Sequence, residues 1–228
     1  MSISVTFSLN AELVLEQQKL LCQMDQKQEY RAQAVAGYTD VEHFTVRNSH
    51  FDEPAELTVR ARYRKETGKT YETVSRKGPS FLQNHVLDRI LLEEASLSRG
   101  AEQQEAMLTT KNYRMQLLGM ESLKGKKCYV IALDPKRHST HLIKGKVWVS
   151  VGDLATVRVQ GKPAANPSFW TGHPMIEREY TTIHGFSFPQ HSHATSRGFF
   201  SGKSELDIEY GQYSVSLSDM PADTLPQQ

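Results

Sequence analysis

Histidines are the residues of this chain whose type and spacing come nearest to chemistry. His191-Ser192-His193 sets two imidazoles on the same face of a strand, and His138 with His141 makes a second close pair. Imidazole nitrogens ligate zinc or nickel, so either pair becomes part of a metal site if a carboxylate such as Glu177 or Glu179 joins it. No helical His-Glu-x-x-His spacing anchors such a site. The histidines read first as solvated strand-face and turn residues, and no metal ligand is assigned.

Other catalytic signatures break down on inspection. Ser201-Gly202-Lys203-Ser204 has the Gly-Lys-Ser end of a phosphate loop, but the glycine required earlier falls at Arg197, and the segment joins two strands instead of opening a helix. No Gly-x-Ser-x-Gly elbow is present. Cys128 precedes Tyr-Val-Ile-Ala-Leu, the setting of an inert core thiol, and with Cys22 it allows one disulfide at most and fits no metal-binding spacing. The reading is therefore non-enzymatic, with no catalytic residue and no cofactor assigned. A small hydrolase would need convergent ionisable groups that the sequence does not display.

Two further groups have double readings. Arg60, Arg62 and Arg64, with Lys65, put three guanidinium groups on one strand face, able to bind acidic head groups or simply to be solvated. Trp148 and Trp170 line a ligand cavity or belong to a core.

The totals narrow the field. Twenty-seven basic against 26 acidic side chains give a formal net charge of +1, which removes the global field expected of a nucleic-acid binder. With 228 residues, 38% of them hydrophobic, the chain can bury a sizeable core, and no run approaches the roughly 18 apolar residues of a membrane span. The start, MSISVTFSLN, lacks a positive n-region, so the chain is either cytosolic or without the export signal that once preceded it. Cys22 is no lipid-attachment site, because QQKLLC puts Lys19 and two glutamines where an apolar signal region belongs.

These residues must be held by two kinds of element. Asn10 can cap a helix whose stripe is Leu13, Val14, Leu20, Leu21 and Met24, running with a break near Asp25 to about Gly37. The period then changes to two: a strand from Tyr38 to Arg47, a second in which Leu57, Val59, Ala61 and Tyr63 alternate with Thr58, Arg60, Arg62 and Arg64, and a third around Tyr71 to Arg76. Gly78-Pro79-Ser80 opens a second helix whose apolar residues, Phe81, Leu82, Val86, Leu87, Ile90, Leu91 and Leu92, spread beyond one stripe, so it is covered on two sides or roofs a cavity. Arg99 to Thr110 reads as a polar connection. Seven further strands follow, over Tyr113–Leu118, Lys127–Leu133, Leu142–Val151, Leu154–Gln160, Met175–Ile183, Phe186–Ser196 and Lys203–Ser216.

The fold class is α+β: about ten antiparallel strands curling into an incomplete barrel, with helices covering the concave face. Residues 1–218 form one domain and 219–228 a loose polar tail. Within the sheet, VWVSVGDLATVRVQGKPAANPSFW reads as a hairpin followed by a strap. Pro163 and Pro167 forbid a continuing ladder and carry Phe169 and Trp170 elsewhere.

The order of an N-terminal helix, GYTDVEHFTVRN, RARYRKETGKTYETVSRKG, FLQNHVLDRILLEE, NYRMQLLGMESLKGKKCYVIALDPK, GKVWVSVGDLATVRVQGKPAANPSFW and SELDIEYGQY resembles the outer-membrane lipoprotein-sorting proteins of the lipoprotein-carrier (LolA-like) group. The resemblance spans roughly Asn10 to Val215, and KKCYVIALDPK and GKPAANPSFW are its most specific parts. It implies a half-barrel in the periplasm with an apolar cavity for a lipid or lipoprotein acyl chain, used in transport toward the outer membrane. The strap to Phe169 and Trp170 would then plug an edge or mouth of the curled sheet. The carrier's functional arginine on an early strand has three possible counterparts here, Arg47, Arg60 and Arg62.

Residues expected to touch the acyl chain are Phe44, Val46, Leu57, Val59, Tyr63, Phe81, Val86, Ile90, Met115 and Trp148, chosen by strand alternation or helix face. Expected partners are the acyl chain itself and envelope proteins, with no nucleic acid, at most peripheral membrane contact, and a monomeric chain. The alternative, from a different class, is an envelope sensor or interaction module whose cavity is filled by its own side chains.

Overall fold

The computed structural model describes residues 3–166, 174–198 and 202–218. Helix α1 covers Ile3–Ala34 and leads into β1 (Val35–Asn48), β2 (Ala55–Arg64) and β3 (Gly68–Lys77). A helical insertion follows: α2 (Ser80–Leu82), a π-helical turn over Gln83–Leu87, α3 (Asp88–Leu97) and α4 (Gly100–Ala106). The remaining strands are β4 (Tyr113–Leu123), β5 (Lys126–Pro135), β6 (Ile143–Ser150), β7 (Thr156–Pro163), β8 (Met175–Ile183), β9 (Phe186–Gly198) and β10 (Gly202–Leu217).

All ten strands join one sheet in the order β3-β2-β1-β10-β9-β8-β7-β6-β5-β4, and every pairing is antiparallel. Two meanders, β1 to β3 and β4 to β10, are thus welded by the β1–β10 pair. The consequence for function is topological. Strands β3 and β4 are the two outer edges, and the insertion that connects them has to travel across the concave side.

Strand alternation decides what faces that side. Along β2, Ala55, Leu57, Val59, Ala61 and Tyr63 are buried while Arg60, Arg62 and Arg64 are exposed, so the arginine row lies on the outer face. Gly68, at φ 77°, closes the β2–β3 turn in a left-handed conformation that costs glycine least.

The concave face is covered in two halves. Leu82, Leu87 and Ile90 of the insertion pack on Phe44, Leu57 and Val59 of β1 and β2 and on Leu206 and Ile208 of β10. Leu20 and Met24, one turn apart on α1, pack on Ile131, Leu133, Val147, Val149 and Val159 of β5, β6 and β7. A separate small cluster on the outer face holds Cys128, Val130, Trp148 and Val157.

Several local expectations are revised. Helix α1 passes Asp25 without a break; that carboxylate instead accepts a hydrogen bond from the Thr110 backbone N–H at 2.9 Å, tying α1 to the loop before β4. The helix stops at Ala34, where two buried residues, Ala34 and Val35, hand the chain to the sheet. The polar connection contains α4, because Ala, Glu and Gln favour a helix even without an apolar stripe, and none of its residues is buried. Strand β7 also runs on to Pro163, which pairs with Ile143, and Ala164 then donates to the Leu142 carbonyl at 2.7 Å. Proline at the last strand position loses only a hydrogen bond that the strand end can spare.

Candidate ligand cavity

Between the two helical halves lies a cavity of about 420 Å³. Its apolar wall comes from Ile90 and Leu97 of α3, Leu108 before β4, Ile143, Val159 and Ile176 of the sheet, and Leu206 and Ile208 of β10. Its polar wall comes from Tyr38, Tyr63, Lys69, Glu94, Arg178 and Tyr210. This size and composition fall within the range of small-molecule sites, apolar with a few placed polar groups.

The polar wall is an ion cluster. Lys69, 8% exposed on β3, lies 3.2 Å from Glu94 Oε2 of α3 and also contacts Glu42 Oε1 of β1. The Tyr71 hydroxyl donates to the same Glu94 oxygen at 3.0 Å. Arg178 NH2 approaches Glu94 Oε1 at 3.7 Å, while its Nε donates to Ser192 Oγ at 2.7 Å. Burial would by itself lower the Lys69 pKa, but Glu94, the phenol of Tyr38 and Glu42 hold it well above its ordinary value. Burial likewise pushes Glu94 upward, and the neighbouring cations Lys69 and Arg178 outweigh it, so this carboxylate is held below the usual range.

One ammonium cannot fully compensate every buried acid beside it. Glu42 is entirely buried, and loss of water pushes its carboxyl up to about 8 against the pull of Lys69. Asp40, two residues earlier on the same strand face and also buried, is pushed by burial to about 6. Glu94 is therefore the carboxylate whose charge the cations hold, while burial favours the protonated form of Glu42, whose Oε1 contacts the Lys69 ammonium.

The residues named from the sequence divide by position. Tyr63 and Ile90 line the cavity. Phe44, Val46, Leu57 and Val59 are sealed between sheet and helix, with Val86 packed against them, and Met115 lies partly buried against the α1 half. Phe81 is 55% exposed and stacks between Phe51, at 6.0 Å between ring centroids, and His85, at 4.4 Å. Trp148 points to the outer face, opposite to Val147 and Val149, and its Nε1 donates to Glu121 Oε2 at 2.9 Å. Phe169 and Trp170 lie outside the described residues.

The histidine pairs and early arginines also have plain positions. His193 Nδ1 is 2.7 Å and His191 Nε2 3.6 Å from Asp207, and His193, like His141 of the other pair, borders the cavity; Glu177 and Glu179 instead contact Arg158. No group of three or more potential metal-ligating side chains occurs among the described residues. Arg47 meets Asp207 at 3.5 Å and Arg60 meets Glu72 at 3.2 Å, both on the outer face, and Arg62 is exposed. The arginines that line the cavity are Arg31 and Arg178. Both cysteines are free thiols, Cys22 exposed and Cys128 buried.

The ion cluster was not anticipated, although the sequence holds a signal for it. Asp40 and Glu42 share the parity of Phe44 and Val46 along β1, so two acids stand in the inward phase of a strand. Acids in that phase need a buried cation.

No family model and no curated protein matches the sequence. Among solved structures, the chain is similar to a domain named for outer-membrane lipoprotein sorting from Vibrio parahaemolyticus, at 10% identity and TM-score 0.48, over 88% of this chain and 94% of that one. It is similar to a DUF1329 family protein from Desulfovibrio piger, at 11% identity and TM-score 0.45, over 86% and 90%. A LolA superfamily protein from Nitrosomonas europaea is similar at 11% identity and TM-score 0.42, over 92% and 97%. Among the described residues no helix is long and apolar enough to cross a membrane.

Proposed function

We propose that this protein is a non-catalytic periplasmic carrier that holds a lipid or lipoprotein acyl chain in the cavity beneath α3, on its way to the outer membrane. The observation that carries the reading is the cavity itself, about 420 Å³ bounded by Ile90, Leu97, Leu108, Ile143, Ile176 and Ile208. Each chain methylene taken from water into such a lining contributes about 0.8 kcal/mol. Entry requires α3 and α4 to part from the sheet, and that motion opposes part of the gain. Tyr63 and Ile90, of the residues chosen by pattern, are the ones proposed to touch the chain. Phe169 and Trp170 keep their proposed part as a strap.

Native mass spectrometry of gently purified protein, followed by organic extraction, tests the reading. A co-purifying acyl species, or saturable binding of a fluorescent fatty acid, is the expected result. Protein that arrives empty and binds no such probe contradicts it.

A second reading, an envelope sensor or protein-interaction module, is favoured by one feature. Phe51, Phe81 and His85 form a stacked group with Phe81 largely exposed, the kind of apolar surface that a protein partner covers.

A further inference from the structure

Arg178 is a cation of the cavity wall that keeps donors to spare. It stands on β8 in register with Ser192 of β9 and Val159 of β7, and Ser192 pairs in turn with Ile208 of β10. The row Ile208, Ser192, Arg178, Val159 thus places one charge in an otherwise uncharged strip of the concave face. A guanidinium offers five N–H donors. Here Nε is given to Ser192 Oγ, the side chain of Tyr180 is a further hydrogen-bond partner, and the one carboxylate partner among the described residues is Glu94 at 3.7 Å. Glu94 is already engaged by Lys69 and Tyr71. Of the Arg178 side chain, 35% remains open, and the residue lines the cavity.

Of the other lining cations, Lys69 is ion-paired and Arg31 is turned to a backbone carbonyl and a ring. Lys69 has Glu42 and Glu94. Arg31 gives Nε to the Ser187 carbonyl at 3.2 Å and lies 5.0 Å from the centre of the Phe188 ring. A second, independent observation points to the same wall. Tyr210 lies two residues from Ile208 on the same face of β10, is 8% exposed, and its buried hydroxyl has no hydrogen-bond partner among the described residues. Spare donors on one wall and aliphatic side chains on the other are the complement of a planar anionic head joined to a hydrocarbon tail.

We propose that Arg178 anchors the carboxylate of a free long-chain fatty acid, head toward β8 and β10 and tail along the α3 side. This deepens the acyl-binding reading and rests on it: that reading leaves open whether the chain arrives esterified or as the free acid, and Arg178 selects the acid.

The test compares palmitate with methyl palmitate, each displacing a fluorescent acyl probe at neutral pH. A charge-assisted contact of this kind corresponds to a preference of about 10- to 100-fold, so the wild-type protein binds palmitate at least tenfold more tightly than the ester. Arg178→Gln weakens palmitate by about the same factor and leaves the ester unchanged, a split that a purely structural role would not give. Arg178→Lys keeps the charge beside Glu94, and with it the fold, and gives an intermediate preference. Equal affinity for acid and ester in the wild type, or a preference undiminished in both variants, overturns the anchor while leaving acyl binding intact. Binding of neither ligand overturns acyl binding and the anchor together.

Discussion

Lys69 Nζ on the edge strand β3 lies 3.2 Å from Glu94 Oε2 on α3, and this contact fastens the helical cover to the sheet beneath it. Arg178 from β8 reaches the other oxygen of Glu94 at 3.7 Å, so one carboxylate links two distant strands to one helix. Removing one partner of a buried ion pair costs about 3–5 kcal/mol, since the other charge is left stranded. Glu42 stands on the far side of Lys69 and can ionise in Glu94's place, which puts Glu94→Ala at the low end, about 3 kcal/mol by urea unfolding at neutral pH. Amide exchange in α3 should accelerate in the same variant. A loss under about 1 kcal/mol would mean that packing, and not the ion cluster, holds the cover.

Glu42 makes stability fall as pH rises. Its folded pKa, raised by burial to about 8 from 4.5, means that the folded state binds the proton more tightly. That contribution is complete below the unfolded value and disappears as pH rises through the folded one. Asp40, raised by burial to about 6 from 3.8, acts with the same sign at lower pH. Glu94 is lowered, so its contribution is present above its ordinary value of 4.5 and is lost in acid. Stability should therefore decline from about pH 5 to 8 and level off above that, with Glu42→Gln flattening the decline. A wild-type profile level across that range would show Glu42 already ionised at neutral pH.

Tyr210→Phe removes a buried hydroxyl that has no partner among the described residues. An unsatisfied buried donor costs about 1–3 kcal/mol, and the ring of phenylalanine fills the same space. Urea unfolding without ligand should show stability unchanged or raised by about 1 kcal/mol. A loss of more than that would reveal a hydrogen bond formed by this hydroxyl in solution.

The sheet was legible because its strands alternate. Leu57, Val59, Ala61 and Tyr63 face inward as the pattern requires, and Arg60, Arg62 and Arg64 face out. The same rule, applied to the hairpin, puts Trp148 out of phase with Val147 and Val149. Its size and apolar ring suggested a cavity, but register is the stronger constraint. Helix α4 was illegible for the opposite reason, since a surface helix with no buried residue leaves no apolar period to read. The cavity was legible only in part. Phe44 and Ile90 both satisfy an inward pattern, and what separates core from cavity is the distance between sheet and helix at each point, which no local pattern encodes.

That separation can be tested by a pair of substitutions with opposite effects. Ile90 lines the cavity as well as touching the core, so Ile90→Trp places an indole in the space proposed for the acyl chain. Fluorescent fatty-acid affinity should drop at least about tenfold, with a stability change within the 1–3 kcal/mol typical of overpacking. Phe44 is wholly buried between β1 and the insertion, so Phe44→Ala should cost about 3–5 kcal/mol while leaving the affinity of the remaining folded protein nearly unchanged. If Phe44→Ala abolishes binding without loss of stability, or Ile90→Trp leaves binding intact, the chain occupies a different volume from the one between α3 and β10.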